Sequence, residues 1–85
     1  MPGALVTGAS RGIGAAIAKR FASEGADVVI NFFRNRAPAE ETAAACAEYG
    51  VRAHIVKADV GDLDDLKRLF DEVGETFGGL DFLVN

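Results

Sequence analysis

The stretch TGASRGIG, residues 7–14, places three glycines and an arginine directly after the apolar run 4–6. Glycine adopts the backbone angles of a sharp strand-to-helix turn, and its missing Cβ lets a ligand approach the backbone closely. Free N–H groups at the start of the next helix then point at an anion, assisted by the helix dipole. The stretch therefore predicts a diphosphate-binding seat. The residues assigned to this seat are Gly8, Ser10, Arg11, Gly12, Ile13 and Gly14.

The glycine spacing is GxxxGxG, which differs from the GxGxxG of the commonest dinucleotide fingerprint. It is not a P-loop, because no Gly-Lys-Ser/Thr follows. The alternative is a glycine-rich turn that binds nothing. A buried-type strand before the loop and a helix after it favour the cofactor-binding interpretation.

A second basic segment follows the second predicted strand. No acid lies between Asp27 and Glu40, and Phe32 stands where a carboxylate would usually bind the ribose hydroxyls of NAD. Guanidinium groups suit a doubly charged phosphate. We therefore predict NADP(H) as the cofactor, unless the arginines are only loop charges. The residues assigned to it here are Asn31, Arg34 and Arg36, beside Arg11 of the seat.

The remaining reactive residue types carry no catalytic or metal site in this sequence. Ser10 has no neighbouring base, so it is not predicted to be a nucleophile. Cys46 is the only cysteine, and His54 stands without a cluster at metal spacing, so both are predicted to be structural. Asp59 follows a buried strand, where it binds a ligand or simply caps a turn.

Composition indicates one globular domain. The 85 residues are 49% hydrophobic and 26% charged, with a net charge of −4 that argues weakly against nucleic acid as a partner. Residues 1–36 hold five basic and two acidic residues, whereas residues 37–85 hold four and eleven. No apolar run reaches the roughly 20 residues that cross a bilayer, and residues 1–8 lack the basic region and long apolar core of a secretory signal, so we expect none. We expect a cytoplasmic protein.

Short apolar runs alternate with helical patterns along the chain. The runs are 4–7, 28–32, 54–57 and 81–84, and they lack the polar alternation of half-buried strands. The predicted helices span 12–24, about 38–49 and 62–77. This βαβαβαβ order predicts an α/β, Rossmann-like, three-layer parallel sheet with strand order 3-2-1-4, the truncated half of a doubly wound fold.

The spacing of large apolar residues predicts which helix faces are buried. One stripe runs along the first helix and another along the third. Their members are Ile13, Ile17 and Phe21, then Leu63, Leu66, Phe70, Val73 and Phe77. The first two helices are expected on one face of the sheet and the third on the other, where much of the sheet would lack cover.

Three stretches together resemble the short-chain dehydrogenase/reductase family. TGASRGIG is similar to its TGxxxGIG cofactor loop, and 58–60 resembles its Asp-Val pair after the third strand. Residues 80–85 look like its fourth strand, which runs into an NNAG motif. The resemblance implies that Asp59 and Val60 contact the adenine and that Asn85 begins the last motif. It is closest to the acyl-carrier-protein reductases of fatty acid synthesis, and 30–38 is similar to their enoyl-reducing, NADPH-dependent branch.

The resemblance also implies that the catalytic residues lie beyond Asn85. The family uses an asparagine, a serine and a YxxxK motif there, whereas the only tyrosine here, Tyr49, is followed by GVRA. We expect 1–85 to be an NAD(P)-binding half-domain without catalytic residues, inactive alone, and joined to a catalytic half or to further copies. The alternatives are a stand-alone nucleotide-binding module and a purely structural half-domain.

Overall fold

A computed structural model describes residues 3–8, 12–77 and 82–84. Strands and helices alternate along the chain as the sequence predicts. They are β1 (Gly3–Val6), α1 (Gly12–Ser23), β2 (Asp27–Phe32), α2 (Arg36–Ala47), β3 (Ala53–Lys57), α3 (Leu63–Phe77) and β4 (Phe82–Val84). The four strands form one parallel sheet in the order β3-β2-β1-β4, which confirms the predicted topology.

The strand register brings the candidate residues to one end of the sheet. Val6 of β1 lies opposite Ile30 of β2, and Phe32 of β2 lies opposite Lys57 of β3. The segments 7–8, 33–34 and 58–59 therefore leave the sheet at the same edge, which we call the carboxyl edge. In open parallel sheets this edge is where ligands bind, next to the point at which strand order reverses. Here that reversal falls at β1, between β2 and β4.

Helices α1 and α2 pack on one face of the sheet, mainly through small residues. Ala18 and Ala22 of α1 are 0% and 1% exposed and pack with alternate side chains of β1 and β2. Ile17 and Phe21 are only partly buried at the side of this cluster. The prediction for Ile13 is wrong, because it is 81% exposed. Alanines make the contact between α1 and the sheet. The predicted stripe considered only large apolar residues, so it did not coincide with the buried face of the helix.

Helix α3 covers the opposite face more fully than the sequence predicts. Leu5 and Val29 are 0% exposed beneath it, so the expectation of an uncovered face is wrong for the central strands. The helix buries Leu69 and Val73, and Leu66 packs beside them. Two predicted stripe residues instead face solvent: Leu63 is 82% exposed and Phe70 is 40% exposed. Apolar residues occupy an arc broader than the helix contact, and spacing alone does not locate the contact within it.

Polar contacts fasten α3 to the sheet at its margins. The buried carboxylate of Asp27 accepts hydrogen bonds from the backbone N–H and the Nε of Arg52, at 2.8 and 3.0 Å. Arg52 also donates from Nη1 to the carbonyl of Thr76, at 3.1 Å. Nε2 of His54 lies 2.8 Å from Oε2 of Glu72, which agrees with the structural role predicted for this histidine.

Within the described ranges, no helix has the length and apolar character to cross a membrane.

Candidate functional site

Two glycines of the predicted seat have left-handed backbone angles. Gly8, directly after β1, has φ 64°, and Gly12, the first residue of α1, has φ 67°. Residues with a Cβ rarely adopt these backbone angles, so the local backbone conformation favours glycine at both positions. A Cβ placed on either residue would meet no atom within 4 Å. The surface above both glycines is therefore open, as a backbone-binding ligand requires.

The first turn of α1 provides the positive end of a helix dipole at the carboxyl edge. Its leading N–H groups belong to Gly12, Ile13 and Gly14, and the first turn contains no acidic residue that would compete with an anion. Ile13 is the exposed side chain of this turn, which leaves it available to a ligand. The predicted contacts of Ser10 and Arg11 lie outside the described residues, as does that of Asn85.

Asn31 ties β2 to the end of β3 at the same edge. Its side chain is buried, and Nδ2 lies 3.0 Å from the carbonyl oxygen of Ala58 and 3.3 Å from that of Val56. A third carbonyl, that of Phe32, lies at 3.4 Å. The amide hydrogens therefore bond the protein's own backbone, and a direct contact between Asn31 and the cofactor stays a prediction. Its demonstrated contacts hold the segment before Asp59 in place.

Asp59 caps the turn that follows β3. Its Oδ1 accepts the N–H of Gly61 at 2.9 Å, which is the turn-capping alternative raised by the sequence. Its own N–H donates to Oδ2 of Asp65, at 3.0 Å. One carboxylate oxygen, Oδ2, has no hydrogen-bond partner among the described residues, so the carboxylate retains an acceptor for a ligand. Val60 beside it is 44% exposed.

Asp65 is a supporting residue that was not predicted from the sequence. Asp62 is the N-cap of α3, as predicted, since its Oδ1 accepts the N–H groups of Asp64 and Asp65 at 2.9 and 3.1 Å. Asp65 is the third residue after this cap, the position from which a capping-box side chain reaches backwards. Here it reaches the N–H of Asp59 instead. The Asp-x-x-Asp spacing was the signal that could have identified it.

The two arginines after β2 have different surroundings. Arg36, the first residue of α2, donates from Nε to Oε1 of Glu40 at 2.8 Å and lies over the ring of Phe32. Arg34 is exposed at the carboxyl edge and has no ion-pair partner among the described residues. Its guanidinium carbon lies 5.5 Å from the ring centroid of Phe33. Arg34 is therefore the more available of the two for a phosphate.

A groove of about 350 Å³ separates α1 from α2 and begins at Gly12. Its walls are mostly small residues, with one side chain of each charge, Lys19 and Glu41.

Within the ranges given above, no group of three His, Cys, Asp or Glu side chains is arranged to hold a metal ion. At the carboxyl edge, the start of α1 and the exposed guanidinium of Arg34 offer hydrogen-bond donors to an anion.

Comparison with known proteins identifies the family. The family model described as short chain dehydrogenase matches residues 3–85. The chain belongs to the short-chain dehydrogenase/reductase family. A short-chain dehydrogenase of Burkholderia cenocepacia, crystallised in complex with NADP, is 50% identical to this family member, with a TM-score of 0.92 over 96% of the chain.

Curated relatives agree with this assignment. The 3-oxoacyl-(acyl-carrier-protein) reductase of Staphylococcus aureus is 44% identical over 82 residues, which cover 96% of this dehydrogenase/reductase chain. A hydroxynaphthalene reductase-like protein of Metarhizium guizhouense is 45% identical over 82 residues, again 96% of the chain. The chain spans about a third of each relative, namely 33% and 31% of these two and 34% of the Burkholderia protein.

Proposed function

We propose that this chain is the NADP(H)-binding portion of a short-chain reductase that transfers hydride between the nicotinamide and a carbonyl or enoyl carbon. The observation that carries the proposal is the carboxyl edge. It combines a helix start free of acids, glycines with open space above them and an arginine without a carboxylate partner. A relative that binds NADP and is 50% identical supports the same cofactor.

Each part of the edge has a proposed task. The N–H groups of residues 12–14 bind the diphosphate, because they are unpaired and lie at the positive end of α1. Arg34, with Arg11, binds the 2′-phosphate of the adenosine ribose, and Oδ2 of Asp59 accepts from the adenine amino group. Asn31 holds the β3 end, which fixes the distance between these groups. The bound nicotinamide supplies or accepts the hydride.

For the substrate we propose an acyl group, with linkage to an acyl carrier protein as the specific form. The Staphylococcus aureus relative is named for this chemistry, and its identity to the chain is 44%. The groups that protonate the substrate are proposed to lie in the two thirds of the relatives that this chain does not span. The substrate is therefore tested on the whole reductase, and the cofactor on this chain.

Cofactor titration by calorimetry tests the proposal directly. NADPH should bind more tightly than NADH, and Arg34→Ala should weaken NADPH binding by roughly 10- to 100-fold, since a hydrogen bond to a charged group contributes about 1.5–3 kcal/mol. NADH affinity should not change. Arg20→Ala is the matched control, because Arg20 is an exposed arginine paired with Glu24 near the other end of α1. Equal affinities of the unsubstituted chain for NADPH and NADH would refute the proposal.

A stand-alone nucleotide-binding module is the second candidate. The acid-free start of α1 and the open surface above Gly8 and Gly12 are all that this candidate requires. An NADPH oxidation assay with acyl substrates separates the two. The module predicts binding without turnover for the chain and for the longest protein that contains it, whereas the reductase portion predicts turnover by the longer protein.

We also propose that the chain associates with its catalytic half or with further copies. Among the described residues β4 is an outer strand of the sheet, and strand edges that stay unpaired promote association. The exposed side chains of Leu63 and Phe70 add apolar surface on the adjacent helix. Light scattering should give a mass that rises with concentration, and a monomer at high concentration would contradict the proposal.

A further inference from the structure

An aromatic–arginine pair stands at the carboxyl edge, immediately after β2. Phe33 is 45% exposed, although its neighbour Phe32 is buried in the core at 5%. The guanidinium of Arg34 lies over the Phe33 ring, 5.5 Å from its centroid. Because the ring is so exposed, its burial contributes little to the stability of the fold. Its notable contact is the one with the next side chain, Arg34.

This contact restricts an otherwise mobile cation. An arginine side chain loses rotamer entropy when it is fixed, and a ligand that must fix it binds correspondingly less tightly. A cation over an aromatic face is attracted to the ring, and the planar guanidinium can stack while its N–H groups still point outwards. The Phe33 ring therefore lowers the cost of ordering Arg34 while leaving its donors available.

The neighbouring pair shows a different arrangement. Arg36 also lies over a ring, at 5.8 Å from the centroid of Phe32, but its Nε is bonded to Glu40. That carboxylate offsets the charge of Arg36 and occupies one of its donors. Among the described residues, Arg34 is the stacked arginine that has no acidic partner. At this edge Arg34 therefore presents an exposed guanidinium that contacts a ring and has no ion-pair partner among the described residues.

We propose that Phe33 is a positioning residue, which holds Arg34 over its ring so that the guanidinium is ordered before the 2′-phosphate of NADP(H) arrives. The inference rests on the proposed function and adds to it the residue that sets the preference for the phosphorylated cofactor. Phe33 acts through Arg34 and does not itself contact the phosphate. Its removal thus affects NADPH and leaves NADH, which lacks the 2′-phosphate, unchanged.

A double-mutant cycle tests this with NADPH and NADH as probes. Phe33→Leu removes the ring but keeps an apolar side chain, and should weaken NADPH binding about two- to fivefold, the size of an exposed cation–π contact. Phe33→Tyr keeps the ring and should restore the affinity. In the Arg34→Ala background, Phe33→Leu should have no further effect. Tyr49→Leu is the matched control, because Tyr49 is a 57% exposed aromatic residue that follows the far end of α2.

The outcomes separate this inference from the proposed function. If the unsubstituted chain does not prefer NADPH over NADH, the proposed function fails. If it does prefer NADPH and Phe33→Leu leaves that preference intact, only the positioning role fails. Equal weakening of both cofactors by Phe33→Leu, or a loss that persists without Arg34, would also overturn the role. A loss confined to NADPH, dependent on Arg34 and restored by tyrosine, supports it.

Discussion

The same substitution, glycine to alanine, should have opposite effects at Gly12 and Gly74. Both residues are exposed helix positions, and a Cβ on either meets no atom within 4 Å. Packing therefore contributes nothing at either site, and the backbone decides. Gly12 has φ 67°, whereas Gly74 lies inside α3 and is not among the glycines with positive φ. Comparing the two variants therefore isolates the contribution of backbone conformation to the free energy of unfolding.

The magnitudes follow from these angles. A left-handed backbone conformation destabilises a residue that has a Cβ by about 1–2 kcal/mol. Replacing glycine by alanine also lowers the entropy of the unfolded chain, which stabilises the folded state by about 0.4–1 kcal/mol and offsets part of this cost. Gly12→Ala should therefore destabilise by about 0.5–1 kcal/mol. Gly74→Ala should stabilise by about 0.5–1 kcal/mol, because alanine favours a helix interior. Urea denaturation monitored by circular dichroism, without cofactor, should separate the two variants by about 1–2 kcal/mol.

Thermal unfolding provides an independent readout of the pair. For a domain of this size 1 kcal/mol corresponds to roughly 4–8 °C, so the two melting temperatures should differ by roughly 4–16 °C. Gly74→Ala should melt above the unsubstituted chain and Gly12→Ala below it. Equal shifts, or a stabilised Gly12→Ala variant, would show that the left-handed turn at the head of α1 is absent in solution.

Three further substitutions test the supports of the fold. Asp27→Ala should destabilise by about 1.5–3 kcal/mol in urea, because it removes a buried acceptor of several Arg52 donors, and a loss below 0.5 kcal/mol would contradict this. Asp62→Ala should cost about 1 kcal/mol by removing the N-cap of α3, and no change in the unfolding midpoint would argue against the cap. Burial raises the pKa of the Cys46 thiol, although Lys19 opposes the shift. The folded state thus holds this proton when the unfolded chain has lost it. Stability should therefore fall above about pH 8.5, and less steeply in Cys46→Ala; identical profiles would exclude the effect.

The topology and the location of the site were predictable because both follow from chain order. Apolar runs separated by helical patterns allow few arrangements of a parallel sheet, and right-handed crossovers place α1 and α2 on one face. The carboxyl ends of the strands must then meet. Gly8, Arg34 and Asp59, which were assigned to the cofactor from the sequence, accordingly follow the strands at this one edge.

The contacts of individual side chains were less predictable, because the sequence offers each polar side chain more than one possible partner. Arg34 and Arg36 were both assigned to the phosphate from the sequence, with Arg34 as the first choice, and the structure pairs Arg36 with Glu40. Asn31 was predicted to bind the cofactor, but nothing in the sequence shows that the carbonyls of Val56 in β3 and of Ala58 just after it lie within its reach. Ile13 was placed in the core for a similar reason, since periodicity does not record that alanines make the contact.

The backbone N–H groups at the head of α1 are proposed to bind the diphosphate of the cofactor. The most direct test of this proposal is a titration of the ¹⁵N-labelled chain with NADPH, followed by the amide resonances. Among the described residues, Gly8, Gly12, Ile13 and Gly14 should show the largest shifts, because their N–H groups would exchange water for phosphate oxygens. Saturable binding that leaves these four amides unshifted and moves others instead would contradict the claim.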